Sequence, residues 1–482
     1  MIFHVNKDLI EEIESELKYI CVEGLNGFLK HEIHLKEEGI TILHGPNGCG
    51  KTTLLDMVMH FYNSNYAKLS LVDFEKFTLI HEINNEGRIE EKTIVFNKNI
   101  IEYSEDIKPN TLLSNFERNC FKNQIDFYRL TVSIDNKSPE TLLSRPIDDY
   151  HDFSSETNFS RKVKFKYAFD DELRRVRIGE DLFGDEHNFY VEEMDDSGRR
   201  LLNSKKYMDI KQLSRSLKFF MVKTQRLIYM PSEINERDKK NYGNLMIERY
   251  AKDIAQKIAT SLAESNEKTA SHNKSFPERL IQNINIIENT HESENDIRLK
   301  YKETQDKITK ILNAGLLFRE KNIALPDESL NKDNVKTVLS LYLQDLNEKL
   351  SVYDDLLEKI ETFQEIVGQK IRNKDMKIHY EKGFYFTSKH GDKRELKLSE
   401  LSSGEQHQIV LFYELIFLAD SGTYYLIDEP EISLHVDWQR SFLDDILRVE
   451  NLRGHKFIIA THSPQIIGSR RSLCVSLDGG IL

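Results

Sequence analysis

Cysteine is scarce and dispersed: Cys21, Cys49, Cys120 and Cys474 are the only four in 482 residues. No two form a Cys-x-x-Cys pair, which excludes a zinc ribbon, a zinc hook of that form and a dithiol redox motif. Long apolar runs are also missing. None approaches the ~18 residues that a membrane-spanning helix needs. The opening Met1-Ile2-Phe3-His4-Val5 has neither the basic nor the apolar region of a signal peptide. A cytoplasmic protein with no membrane contact is expected. Basic residues number 67 against 80 acidic, for a net charge of −13. That balance opposes indiscriminate nucleic-acid binding but leaves room for a local basic groove. Low-complexity tracts and internal repeats are absent.

What is present is enough apolar material, 39% of 482 residues, for two or three domain-sized units. Tyr19-Ile20-Cys21-Val22 and His31-Glu32-Ile33-His34-Leu35 alternate in polarity around Gly24-Leu25-Asn26-Gly27, which predicts strands joined by a turn. A buried strand, Ile40-Thr41-Ile42-Leu43, follows. Residues from about 65 to 230 read as irregular strands and loops. Within them, Lys162-Val163-Lys164-Phe165-Lys166-Tyr167 alternates strictly. It reads as an edge strand whose solvated lysines discourage unwanted sheet pairing; contact with nucleic acid is the other reading. From about 243 to 372 the pattern is helical. Leu339, Leu343, Leu346, Leu350, Tyr353, Leu357, Ile360, Gln364, Val367 and Ile371 follow a 4-3 heptad spacing with one polar break. A seam of ~35 residues would make a stubby arm of roughly 50 Å, separated from earlier helical material by the polar stretch 326–331. Periodicity leaves open whether this seam pairs within the chain or between chains.

Four motifs carry chemistry. Gly45-Pro46-Asn47-Gly48-Cys49-Gly50-Lys51-Thr52 fits the phosphate-binding pattern Gly-x4-Gly-Lys-Ser/Thr, between a buried strand and the helical pattern Leu54, Leu55, Val58, Met59. Glycines let backbone N–H groups close around phosphate oxygens, and the new helix adds its positive end. Lys51 would reach the β- and γ-phosphates of ATP, and the Thr52 hydroxyl would ligate Mg2+. The second motif, Tyr424-Tyr425-Leu426-Ile427-Asp428-Glu429-Pro430, is a buried strand delivering two carboxylates. Asp428 would hold Mg2+, and Glu429 would polarise the attacking water. The third, Leu401-Ser402-Ser403-Gly404-Glu405-Gln406, taken alone, is a helix cap. The fourth, Phe457-Ile458-Ile459-Ala460-Thr461-His462-Ser463-Pro464, is another buried strand ending in a histidine. Taken alone, His462 would be a structural residue; in this company it reads as a γ-phosphate sensor.

The order P-loop, signature, acid pair, histidine resembles the branch of ABC ATPases that holds the SMC proteins, RecF and the OLD nucleases. The wording Asp428-Glu429-Pro430-Glu431-Ile432-Ser433-Leu434-His435 is similar to the compact bacterial members. The resemblance implies an α/β fold, an ABC-type P-loop ATPase head with a mixed sheet, interrupted by a helical insertion. The N-terminal half would span 1–242, the insertion 243–375, and the C-terminal half 376–482. It further implies that Asn47, Gly48, Cys49, Gly50, Lys51, Thr52 and Thr53 bind the nucleotide. The signature Ser402, Ser403, Gly404 and Glu405 would serve the ATP of a second copy. Ser433, Leu434 and His435 would form a D-loop crossing the dimer interface. Gln225, in Thr224-Gln225-Arg226-Leu227, would act as a Q-loop residue near Mg2+ and the attacking water.

One departure shapes the functional expectation. OLD nucleases carry a Toprim domain after the ATPase, whereas here about 20 residues follow His462, and neither an acidic metal cluster nor a His-Asn-His pattern is found elsewhere. Cleavage would then fall to a separate HNH or Toprim-type partner. Stand-alone ATPases of this build resemble the PtuA family of the Septu anti-phage system, with the AriA family of PARIS second. The alternative is a RecF-like repair ATPase that binds DNA directly, through Lys162, Lys164, Lys166, Arg199, Arg200, Lys205 and Lys206. A transporter ATPase subunit fits poorly, because such subunits are usually near half this length and lack so large a helical insertion.

Overall fold

The computed structural model describes residues 14–85, 87–101, 127–146, 205–222, 245–286, 293–317, 333–391, 393–477 and 480–481. Gln225, residues 162–167 and 326–331, Arg199 and Arg200 lie outside them. The chain begins with strands β1 (Glu14–Leu25), β2 (Leu29–His34) and β3 (Ile40–His44), then helices α1 (Lys51–Tyr62) and α2 (Tyr66–Leu71). Strands β4 (Lys76–Asn85), β5 (Arg88–Ile101), β6 (Phe127–Ile134) and β7 (Glu140–Pro146) precede helix α3 (Lys205–Ser216) and strand β8 (Phe219–Val222). Four helices follow: α4 (Met246–Ile286), α5 (Glu294–Asn313), α6 (Asp333–Leu350) and α7 (Asp354–Lys370). A small three-stranded sheet comes next, β9 (Lys374–His379), β10 (Gly383–Ser388) and β11 (Glu395–Leu396). The chain closes with α8 (Ser403–Tyr413), β12 (Tyr424–Asp428), α9 (Val436–Arg453), β13 (Lys456–Thr461), α10 (Pro464–Ile467), β14 (Cys474–Ser476) and β15 (Gly480–Ile481).

Two larger sheets organise the molecule. A seven-stranded antiparallel sheet runs β15-β2-β1-β4-β5-β6-β7, and a parallel five-stranded sheet runs β14-β3-β13-β12-β8. Successive side chains of a strand face opposite sides, and here both sides of the parallel sheet are covered. Ile40, Ile42, Tyr425, Ile427, Phe457 and Ile459 join one core with α4, α7, α8 and α9. Leu43, Tyr424, Leu426, Ile458 and Ala460 join another with α1 and the seven-stranded sheet. Burial on both faces is why these strands read as unbroken apolar runs rather than alternations.

The first turns of α4 belong to the first of these cores through Ile247, Tyr250, Ala251, Ile254 and Ile258. Its remaining length carries it outward: 41 residues at 1.5 Å each give roughly 60 Å. There it runs beside α6, where Arg279 grips Asp345 in a two-pronged ion pair at 2.6 and 2.8 Å. The heptad seam forms two helices, not one arm. A 3-10 turn, Ser351–Tyr353, separates α6 from α7. The spacing survives because Tyr353, fully buried, fills the seam position at the turn, while Leu343, Leu350, Leu357, Ile360, Val367 and Ile371 are buried on either side. The seam is therefore satisfied inside the chain. Among the described residues no helix is long and apolar enough to cross a membrane.

Candidate nucleotide site

The loop between β3 and α1 is shaped by its glycines. Gly48 and Gly50 both have φ of +81°, a left-handed conformation that side chains disfavour. At Gly50 a Cβ would also lie 2.6 Å from Leu25 Cδ2. Helix α1 starts without a side-chain cap and without an acid in its first turn, so its free N–H groups and positive end remain available to an anion. Lys51 is 5% exposed. Its ammonium donates to the carbonyls of Gly45 and Pro46 at 3.0 Å each. His31 Nε2–H donates to the Cys49 carbonyl at 2.7 Å and ties the loop to β2. Asn47 is exposed and Thr53 half-buried at the ends of this loop.

Strand β12 places its acids beside that loop. Thr52 Oγ1 donates to Asp428 Oδ2 at 2.8 Å. Burial pushes the Asp428 carboxyl above the ordinary aspartate range; the Thr52 bond opposes this, and the charge of Glu429 adds to it. Immediately after, Glu429 adopts φ 44° and ψ 57°, a left-handed conformation costing a non-glycine residue about 1–2 kcal/mol. Its N–H still donates to the Ala460 carbonyl at 2.9 Å. The turn swings its carboxylate off the strand toward β13, where His462 Nε2 lies 3.4 Å from Glu429 Oε1. His462 Nδ1 is 3.4 Å from Lys51 Nζ. A ring nitrogen facing an ammonium must accept, so Nδ1 carries the lone pair and Nε2 the hydrogen directed at Glu429. Lys51, Thr52, Asp428, Glu429 and His462 thus form one connected constellation.

A family model of the AAA ATPase domain, AAA_15, matches residues 16–467. The chain belongs to that family. It is therefore an ATP-hydrolysing enzyme, and the grouping of P-loop, acid pair and histidine along one parallel sheet is that of an ABC-type ATPase. Similar solved structures include the Smc head domain with an extended coiled coil bound to the C-terminal domain of ScpA, from Pyrococcus furiosus. It is 14% identical, with 97% of this chain and 96% of that chain covered and a TM-score of 0.38. Another is the SMC head domain from Thermotoga maritima, 10% identical, with 97% and 98% covered and a TM-score of 0.31. No curated protein matches.

The remaining predicted residues of this AAA ATPase domain lie in two separate places. Ser402 caps α8 in a reciprocal box: its Oγ accepts from the Glu405 N–H at 3.3 Å, and its own N–H donates to Glu405 Oε2 at 2.8 Å. Burial alone would raise the Glu405 carboxyl. Lys374, donating at 2.6 and 2.7 Å, outweighs burial together with Ser402, and holds it below the ordinary glutamate range. Ser402 and Ser403 are exposed and Gly404 half-buried. Among the described residues no hydrogen bond or ion pair joins residues 402–405 to the P-loop or the acid pair. The segment after Glu429 is a 3-10 turn, Pro430–Ser433. Leu434 behind it is buried, and exposed His435 caps α9, accepting from the Asp437 N–H. Sequence reasoning missed two residues of this AAA ATPase domain. Glu431 accepts from Thr461 Oγ1 at 2.8 Å and from the His462 N–H at 2.6 Å. Gln439 accepts from Ser463 Oγ at 2.6 Å and donates to the Leu434 carbonyl at 3.0 Å. Glu431 had a signal, a third carboxylate two residues after the acid pair; Gln439 had none.

Proposed function

We propose that this ATPase binds ATP between two copies arranged head to tail, and that hydrolysis there controls a separate nuclease or effector subunit in anti-phage defence. One observation carries the dimer: the signature cap at Ser402 and Ser403 is exposed and unconnected to its own P-loop, while the hydrolytic residues are already assembled in one place. In this reading the cap serves a nucleotide that another copy presents. The 433–435 turn is then the D-loop between the copies. The polypeptide divides into ATPase halves at 1–242 and 376–482 around a helical lobe at 243–375.

In this reading residues 47–53 cradle the phosphates, with Lys51 against the β- and γ-phosphates. Thr52 and Asp428 offer only oxygen donors, the hard type that suits Mg2+; they would hold the ion, which when bound would offset the phosphate charge. Among the described residues no cluster of three or more His, Cys, Asp or Glu side chains offers a different metal site. Glu429, fixed by its left-handed backbone and by His462, orients and polarises the attacking water. His462 reads the γ-phosphate from between Lys51 and Glu429. Gln225, by the resemblance alone, would complete the site beside Mg2+ and the water.

The deciding experiment is Ser402→Arg in the full chain. Nucleotide binding to the isolated subunit should persist, while ATP-induced dimerisation, followed by light scattering, and hydrolysis should both be lost. Normal hydrolysis by that variant would sink the cross-subunit reading. Co-purification of the chain with an HNH or Toprim-type protein, sensitive to ATP, tests the effector.

A further inference from the structure

His462 stands where the sheet no longer holds it. The β12–β13 ladder ends at Asp428 with Ala460, and the β3–β13 ladder ends at His44 with Thr461. The next backbone N–H, that of His462, would have no strand partner, and buried backbone donors are rarely left unmade. Glu431 takes the place of the ladder. One carboxylate oxygen accepts from the His462 N–H at 2.6 Å and the other from Thr461 Oγ1 at 2.8 Å, short distances for bonds to an ionised acceptor. Thr461 Oγ1 in turn accepts from the Ser463 N–H at 3.0 Å. A second tie runs through Gln439, which joins Ser463 Oγ to the Leu434 carbonyl. The loop 461–463 therefore has two anchors, both on the segment 431–439.

That segment also presents Ile432, 63% exposed, and Val436, 46% exposed. They are apolar, β-branched side chains, one within the turn and one just after it. Meanwhile the two contacts that place the His462 ring, to Lys51 and to Glu429, are both 3.4 Å, at the outer limit of a hydrogen bond. Contacts of that length would be sensitive to a shift of a few tenths of an ångström passed from the turn through Glu431.

We propose that Glu431 is a positioning residue for ATP hydrolysis: it couples the turn at 430–435 to His462, so that a second copy pressing on Ile432 and Val436 sets the sensor. This rests on the reading of His462 and of the dimer given above. Glu431 touches no substrate in this scheme and acts through another residue. Its removal lowers kcat and spares nucleotide affinity.

A double-mutant cycle on the full chain tests it, using steady-state ATPase rates at saturating ATP and binding of a fluorescent ATP analogue. Glu431→Gln keeps the side-chain volume but opposes an amide to one of the two donors. It should lower kcat tenfold or more and change nucleotide affinity by less than threefold. Combined with His462→Ala, it should slow the enzyme by less than a further twofold, because both changes disable one unit. If the two losses multiply, Glu431 acts independently of His462 and the coupling is refuted, while the reading of His462 stands. If His462→Ala alone leaves kcat intact, that reading falls and the coupling with it. Should Glu431→Gln fail to fold, Thr461→Val in the same cycle decides by the same criterion, with a smaller loss because the His462 N–H bond remains.

Discussion

The hydroxyl of Thr52 donates to Asp428 at 2.8 Å across 376 positions of sequence. That bond joins the first turn of α1 to the end of β12, so it ties the phosphate loop to the acid strand. It also opposes the rise that burial imposes on the Asp428 carboxyl.

Thr52→Val should remove the tie without changing side-chain volume much. We expect kcat to fall by one to two orders of magnitude and the Mg2+ concentration for half-maximal activity to rise. ATPase assays over a Mg2+ titration read both. An unchanged Mg2+ requirement would remove Thr52 from the cation site.

Glu429 combines function and strain, and two substitutions separate them. Glu429→Gln should retain ATP binding and lose on the order of 10²- to 10⁴-fold in kcat, the range that general-base groups contribute. Glu429→Gly should be equally inactive yet more stable by about 1 kcal/mol, because glycine accepts a φ of 44° without penalty. Urea denaturation of the two variants side by side is the check. A less stable glycine variant would show that the left-handed turn stores no strain.

Acid should destabilise the fold through two histidines of the ATPase core. His81 and His455 are fully buried, and burial pushes both rings down to about 4 from the ordinary 6.5. His81 bonds the Tyr62 hydroxyl through Nε2 at 2.6 Å; among the described residues His455 has no hydrogen-bond partner on either nitrogen. The unfolded chain takes up protons on these rings below about 6.5, and the folded chain resists until about 4. Stability is therefore complete above pH 6.5 and falls as pH drops from 6.5 toward 4, by roughly 3 kcal/mol per ring. His455→Leu should remove about half of the pH dependence of the denaturation midpoint across that window, the rest staying with His81. A wild-type slope retained in the variant would clear His455 of the effect.

Lys370 and Asp445 form a buried ion pair at 2.5 Å between α7 and α9, with side chains 5% and 4% exposed. Lys370 also donates to Ser441 Oγ at 2.7 Å. Asp445→Ala strands the ammonium and should cost about 3–5 kcal/mol, whereas Lys370→Met with Asp445→Leu should recover most of the loss. Guanidinium midpoints decide it. A cost below 1 kcal/mol for Asp445→Ala would mean that water reaches Lys370.

The chemistry of this chain was legible where local spacing dictates it. The phosphate loop, the acid pair and the strand before His462 each combine a buried apolar run with a turn and a polar group. That pattern implies a strand end at the edge of a site. The contact partners were not legible, because they are set by sheet order. Nothing in the spacing places β3 beside β13, so neither the Lys51–His462 approach nor the Glu431 clamp on His462 can be read from local pattern. The heptad seam shows the opposite failure. Its spacing was right, but periodicity cannot register a 3-10 turn that leaves the apolar positions in step, and so one arm was expected where α6 and α7 stand. Ser402 reads as a cap from sequence and is one; its service to a second copy comes from the resemblance and remains for the Ser402→Arg test.

The order of the parallel sheet also has a consequence for biosynthesis. Strand β3 is made early, yet both of its neighbours, β13 and β14, are encoded near residues 456–461 and 474–476. Between Lys51 and His462 lie 411 positions, which a ribosome adding about 5–20 residues per second covers in roughly 20–80 s. Throughout that interval an apolar strand with two bare edges has no partner of its own to pair with. The open edges of β3 are then an aggregation hazard for the nascent chain, and the grouping of Lys51, Asp428 and His462 cannot form before the C-terminal strands emerge.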